Sequence, residues 1–128
     1  MTVASRRAME SFRASDGLTL RYLVDDYTPP WEPKQVLFLL HAAMGSSSRL
    51  YRWVPILARN FIVVRPDMRG HAQSEVPGPH QFSFQRLARD VVELTVHRSP
   101  FTVYDSPLTP FTVHGFIALR IEHAAFNR

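Results

Sequence analysis

Residues 35–45 run QVLFLLHAAMG, and residues 61–74 run FIVVRPDMRGHAQS. Each stretch holds an unbroken apolar run and ends in a loop that carries a glycine. Continuous rather than alternating apolarity marks a strand covered on both faces, as in a parallel sheet. Between the two strands stand Ser46, Ser47 and Ser48. This cluster predicts a helix start, because Ser hydroxyls cap the free N–H groups of a first turn. Leu50, Trp53, Val54 and Leu57 follow at i, i+3, i+4 and i+7 and give that helix an apolar face. Pro55 lies inside the span, so the helix is either kinked or short, and Asn60 ends it.

The pattern then repeats. After FIVV comes the loop from Asp67 to Ser74, extended by Pro77-Gly78-Pro79, and Ser83 opens a second helix with Leu87, Val91 and Leu94 on one face. Strand, loop and helix in this repeated order predict an α/β fold built on a mostly parallel sheet. Upstream, residues 1–8 form a flexible extension. Glu10–Ala14 and Leu18–Val24 are strand-like runs around Asp16-Gly17, a hairpin-turn signal, so the sheet has an antiparallel N-terminal edge. Asp25 to Lys34 carries Pro29, Pro30 and Pro33 and predicts a surface connection.

Beyond Val96 the character changes. SPFTV and TPFTV recur within residues 99–113, broken by Pro100, Pro107 and Pro110. Phe101–Tyr104 and Phe111–Val113 are strand-like scraps led by prolines, which suit sheet edges. Ile117–Phe126 has the spacing of a short amphipathic helix. The organisation is therefore residues 1–8 as extension, 9–96 as part of one α/β domain, and 97–128 as an atypical, irregular tail.

Composition narrows the function classes. The chain has 128 residues, 45% apolar and 20% charged, which suits one packed domain. It has no Cys, which removes disulfides, thiolate zinc sites and cysteine nucleophiles, and fits a cytoplasmic protein. Net charge is +4, but 14 of the 15 cations are Arg, scattered from Arg6 to Arg128. A phosphate-binding surface shows a basic cluster with a motif, so no nucleic-acid partner is expected. No run reaches the roughly 20 apolar residues of a membrane span. The 6 His show no H-E-x-x-H and no i, i+4 pair, and the 5 Gly no G-x-G. Neither a metal nor a cofactor is expected.

HAAMGSSSRLYRWVPIL and VVRPDMRGHAQSEVPGP together resemble the N-terminal part of the α/β-hydrolase superfamily. There a strand ends in a His-Gly-type loop, a helix follows, and the next strand ends in Asp-x-Arg-Gly-x-Gly-x-Ser. The resemblance covers about residues 9–95 and points toward ester and lactone hydrolases, enol-lactonase-like enzymes among them. Two family glycines are Ala42 and Ala72 here, which removes backbone freedom at both.

The resemblance implies an oxyanion-hole N–H at Ala43, with Met44 beside the acyl pocket. It implies structural roles for His41, Gly45, Asp67, Arg69, Gly70 and His71. His41 anchors its loop rather than acting as a base, Asp67 bonds the backbone of its own turn, and Arg69 pairs locally. Ser74 and Ser83 are loop and cap residues. No Gly-x-Ser-x-Gly occurs in the chain. The order in this fold is nucleophile, acid, then His, so no catalytic residue is assigned. Ser46, Ser47, Ser48, His71, His97, His114, His123, Asp90 and Asp105 are available for a triad, but none sits in a strand-to-helix elbow.

Two functional readings follow. In the first, the chain is a truncated or frame-shifted relative of serine hydrolases that act on a small-molecule ester or lactone, inactive as it stands. In the second, it is a non-catalytic interaction module or pseudo-enzyme on a partial sheet. Either way, the edge beside the second buried strand needs covering. The tail from Phe101 to Phe126 covers it, or self-association with a second copy does.

Overall fold

The computed structural model describes residues 6–27, 29, 31, 35–42, 44–98, 108–113 and 116–121. Strand β1 spans Arg6–Arg13, β2 Thr19–Asp26, β3 Gln35–Leu40 and β4 Phe61–Pro66. A 3-10 segment, Ser47–Trp53, runs into helix α1, Val54–Leu57. Helix α2 spans Phe84–Arg98, and strands β5, Leu108–Val113, and β6, Phe116–Ile121, follow. The sheet order is β1-β2-β4-β3-β6-β5.

Strand parity sorts the side chains onto two faces. Phe12, Leu20, Tyr22, Val24, Phe38 and Val64 point to one face and pack with Leu94 of α2. Leu37, Leu39 and Val63 point to the other and pack with Leu50, Val54 and Ala58. The uninterrupted apolar runs of β3 and β4 are thus covered on both sides, which is why neither alternates. Fully burying one Leu or Val side chain stabilises by about 1.5–3 kcal/mol. These layers are the main favourable term.

The partial α/β-hydrolase architecture and its N-terminal antiparallel hairpin are present as expected, with several differences of detail. Among the described residues only β3 and β4 pair in parallel, so the sheet is mixed rather than mostly parallel. A parallel pair needs a crossover, and among the described residues only the 3-10 segment with α1 makes one. β1 begins at Arg6, so residues 6–8 are strand and not extension. Its register sets Arg6 opposite Asp26 and Arg7 opposite Asp25. The Ser cluster starts a 3-10 turn and not an α-helix, with no hydroxyl cap. Pro55 sits in the first turn of the short α1, where its missing N–H costs little.

The tail also differs. Leu108–Val113 and Phe116–Ile121 pair antiparallel, and β6 pairs with β3. The expected helix over 117–126 is a strand as far as Ile121, and the rest lies outside the described residues. Short apolar runs fit either period. Here the unpaired N–H and C=O groups of the β3 edge favour the strand. That edge is therefore covered, and the outer strand β5 contains Pro110.

One charged pair lies within the sheet. Arg65 and Asp25 have the same parity as Val63 and Leu23, which puts them beneath the 3-10 segment. The Arg65 guanidinium donates to Asp25 Oδ2 at 2.8 and 3.0 Å and to the Ser47 carbonyl at 2.9 Å. Both residues are about 1% exposed. Removing one partner of a buried pair leaves an uncompensated charge, at a cost of about 3–5 kcal/mol. Arg65→Met alone and Asp25→Leu alone are expected to lose stability on that scale in urea unfolding. The double variant should recover more than half of it. Equal losses in all three would contradict this account.

Candidate functional site

The C-terminal ends of β3 and β4 lie side by side because the strands are parallel, and two loops leave there together. One runs from His41 to Ser46, the other from Asp67 to Ser74. His41, 8% exposed, accepts the Met68 N–H on Nε2 at 2.9 Å, and its Nδ1 lies 2.8 Å from the Ala42 carbonyl. His71 accepts the Met44 N–H on Nε2 at 3.2 Å, and its Nδ1 lies 3.0 Å from the Arg69 carbonyl. The imidazoles are 5.0 Å apart between centroids. Burial pushes the His41 imidazole below its ordinary 6.5; the Ala42 carbonyl and Asp67 act against this and His71 with it.

Gly45 answers a close approach. A Cβ there would lie 2.8 Å from the Ala42 carbonyl oxygen and 3.3 Å from the His41 ring. Gly45 N–H closes the turn on the same carbonyl at 2.9 Å. Met44 in this turn has φ 66°, a left-handed conformation for a non-glycine residue, and its side chain is 87% exposed. Its N–H is taken by His71. Ala43, which the resemblance assigns as the oxyanion donor, lies outside the described residues. Gly70 (φ 77°) and Ala72 (φ 44°) make the reversals of the second loop.

Asp67 does more than close its own turn. Its Oδ1 accepts the Ser47 N–H at 2.7 Å, whereas within its own loop its Oδ2 accepts Gln73 N–H at 3.3 Å. The start of the 3-10 segment is thus capped by a carboxylate from the other loop. The Ser46 hydroxyl bonds Ser48 instead, at 2.7 Å. Ser74 donates its hydroxyl to the Asp67 carbonyl and accepts the Arg21 N–H at 2.8 Å. Ser83 accepts the Arg86 N–H at 3.1 Å and caps α2.

Arg69 does not pair locally. It is fully buried and donates to both Asp90 oxygens, at 2.7 and 2.8 Å, and to Asp16 at 2.8 and 3.2 Å. Arg86 extends the cluster to Asp90 at 3.0 Å and to Glu93 at 2.8 Å. Glu93 in turn accepts the Ser15 N–H at 3.0 Å and the Ser15 hydroxyl. Burial alone would lower the Arg69 pKa, but the hydrogen bonds to Asp90 and Asp16 outweigh it and hold the guanidinium charged. Sequence reasoning missed Asp25, Arg65, Asp16 and the pairing of Asp90. The signal was available for two of them: Asp90 stands on the α2 stripe between Leu87 and Leu94, and Arg65 directly follows FIVV.

Among the described residues no triad is brought together, and no Ser hydroxyl is hydrogen-bonded to a His. Asp90 is engaged by two guanidinium groups, and His97 stacks on Phe12 at 5.2 Å between ring centroids. His114, His123 and Asp105 lie outside the described residues. Among the described residues, no cluster of His, Cys, Asp or Glu suited to a metal is found, and no helix is long and apolar enough to cross a membrane.

Comparison with known proteins agrees with the fold. A family profile described as the alpha/beta hydrolase fold matches residues 35–101, which includes both loops. An uncharacterized hydrolase of Saccharomyces cerevisiae is 31% identical over 70 residues, covering 53% of this chain and 24% of the yeast protein. The epoxide hydrolase CorEH superposes with TM-score 0.60 at 27% identity, over 72% of this chain and 30% of its own. The enol-lactonase from Burkholderia xenovorans LB400 does so with TM-score 0.58 at 25% identity, over 68% and 32%. The chain thus spans about a quarter to a third of the length of these relatives.

The Arg69 cluster carries a pH signature. The hydrogen bond from Arg69 lowers the Asp16 pKa from 3.8 to about 2, against the opposing effect of burial. A carboxylate with a depressed folded value contributes stability that is full above its unfolded value and lost as pH falls through the folded one. The Asp16 contribution is therefore full above pH 3.8 and fades toward pH 2. Asp16→Asn should be less stable than the parent at neutral pH and should flatten the acid limb in that window. An unchanged acid limb would count against the assignment.

Proposed function

The chain belongs to the α/β-hydrolase fold family, and from that premise we propose that it is the oxyanion-loop portion of a hydrolase that acts on small-molecule esters or lactones and forms no acyl-enzyme by itself. The observation that supports this most is the clamping of the loop after β3. Its far end is held at Ser47 by Asp67 on the N–H and Arg65 on the carbonyl. Its middle is held at Met44 by His71. A loop fixed in this way can offer an aimed N–H to a carbonyl oxygen without reorganising, which is the requirement for stabilising developing negative charge.

Ala43 is the donor in this reading. That assignment is carried over from the family resemblance, and the bond from the Met44 N–H to His71 beside it is compatible with it. Losing one such donor typically lowers the rate about 10²–10³-fold. The serine that would attack and the base that would activate it are not supplied by these residues. The enol-lactonase likeness supports the ester or lactone reading; the likeness to an epoxide hydrolase widens the range of substrates the same frame serves. The lack of Cys supports a cytoplasmic setting.

One observation favours a second reading, a non-catalytic module. Strand β6 pairs with β3 along Leu37–Leu40, which gives this sheet its own finished edge. A serine-directed fluorophosphonate probe is expected to leave the pure chain unlabelled. Hydrolysis of p-nitrophenyl acetate is expected to match the buffer blank. Robust labelling would overturn the proposal, and a single cooperative thermal transition without labelling would favour the module.

A further inference from the structure

The two loop histidines exchange partners. Each Nε2 accepts a backbone N–H from the opposite loop: His41 from Met68, and His71 from Met44. Each Nδ1 faces a carbonyl of its own loop: Ala42 for His41 and Arg69 for His71. A ring nitrogen that accepts an N–H carries no proton. Both rings are therefore neutral, with the hydrogen on Nδ1 and donated to the carbonyl. Neither ring has a nitrogen to spare for a metal or a substrate.

What the pair restrains is backbone that would not hold its shape unaided. Met44 is left-handed at φ 66°, and Ala72, directly after His71, is left-handed at φ 44°. Non-glycine residues persist in that region only when their surroundings over-determine them. The Met44 side chain is 87% exposed, so packing does not fix it. Its restraints are the turn bond from Gly45 to Ala42 and the bond to His71.

We propose that His41 and His71 form a reciprocal latch between the loop after β3 and the loop after β4, closed while both rings are neutral and opened when either is protonated. A proton on Nε2 converts the acceptor into a donor facing another donor. One protonation thus removes one cross-loop bond, and a second sets two cations with centroids 5.0 Å apart. Few other charges face the pair. His41 faces His71 and the Asp67 carboxylate, which is occupied by the N–H groups of Ser47 and Gln73. His71 faces His41, while the Arg69 guanidinium beside it is turned to Asp16 and Asp90.

The direction follows from the neutral form being the bonded one. Burial and His71 together outweigh Asp67, and His41 titrates below 6.5. Its contribution to loop closure is full above that value and is lost as pH falls through the lower, folded one. The latch stands on hydrogen bonds and does not rest on the hydrolase reading. Within that reading, it makes the oxyanion loop pH-gated.

The test is an NMR titration of the 15N-labelled full chain from about pH 8 to about pH 5. At the upper end both rings should be Nδ1–H tautomers, with N–N couplings across the bonds to the Met44 and Met68 amides. On acidification the coupling to the Met68 amide should vanish and that amide shift should follow the His41 ring, with its midpoint below the ordinary value; the Met44 coupling should vanish once His71 is protonated. Exchange of these two amides should rise at least about tenfold beyond the intrinsic pH effect, as expected for a local opening. His71→Gln retains an acceptor that does not titrate. It should abolish the pH dependence at Met44 and move the His41 midpoint upward. An Nε2–H tautomer in either ring at the upper pH would overturn the latch. So would rings that titrate without an amide response, or a chain with no dispersed amide spectrum there.

Discussion

A guanidinium with no solvent exposure sits where the hairpin turn, the loop after β4 and helix α2 meet. Arg69 has to be neutralised there, since an unpaired charge in a protein interior costs several kcal/mol. The two carboxylates that neutralise it come from Asp16 and Asp90, 53 and 21 residues away in the chain. The three elements are thus aligned by one requirement, and α2 reaches its place on the sheet only with the loop already beneath it. The opposite face repeats the device: Arg65 and Asp25 fix the 3-10 segment through the Ser47 carbonyl. Among the described residues, the helical cover on each side of the sheet is thus tied to a buried arginine. Apolar side chains of similar volume often stabilise as well as a buried ion pair. The contribution of these pairs is alignment as much as energy.

The loops inherit that alignment and add their own. Neither satisfies all of its backbone donors from within. Met44 and Met68 each depend on a histidine of the other loop, and Ser47 depends on Asp67. The loop after β3 therefore takes its shape only once β4 and its loop are in place. Under the proposed oxyanion reading this dependence would be useful, because Met44 and Ser47 on that loop are held by covalently distant parts of the fold.

Much of this was legible before the structure. The unbroken runs QVLFLL and FIVV gave the two strands covered on both faces. The Asp16-Gly17 turn gave the hairpin, Ser83 the start of α2, and the paired loop motifs the family. What was not legible depends on contacts distant in sequence. The cluster Ser46, Ser47 and Ser48 was expected to cap a helix by local chemistry, but the Asp67 carboxylate, twenty residues from Ser47, caps the segment instead. Arg69 was expected to pair nearby, yet its partners lie on other elements. The run from Ile117 looked helical because a short apolar segment suits both periods, and an unpaired strand edge decided between them. The sequence signal that was there and passed over is a charge on an apolar stripe, Asp90 among Leu87, Val91 and Leu94, or Arg65 after Val64. A charge in such a place requires a partner, and finding it would have linked the elements.

The pairing of β6 with β3 turns the completion of this sheet into a competition. β6 belongs to the same chain, and a tethered segment meets its site at an effective concentration that reaches the millimolar range for short flexible connections. A strand offered by a separate molecule competes at its own, commonly much lower, concentration. To take the edge it must displace four register pairs, Leu37 to Leu40 against Ile117 to Arg120. Any pairing of a separate strand with β3 itself would thus proceed as strand exchange and not as simple addition, at a rate set by how often β6 lets go.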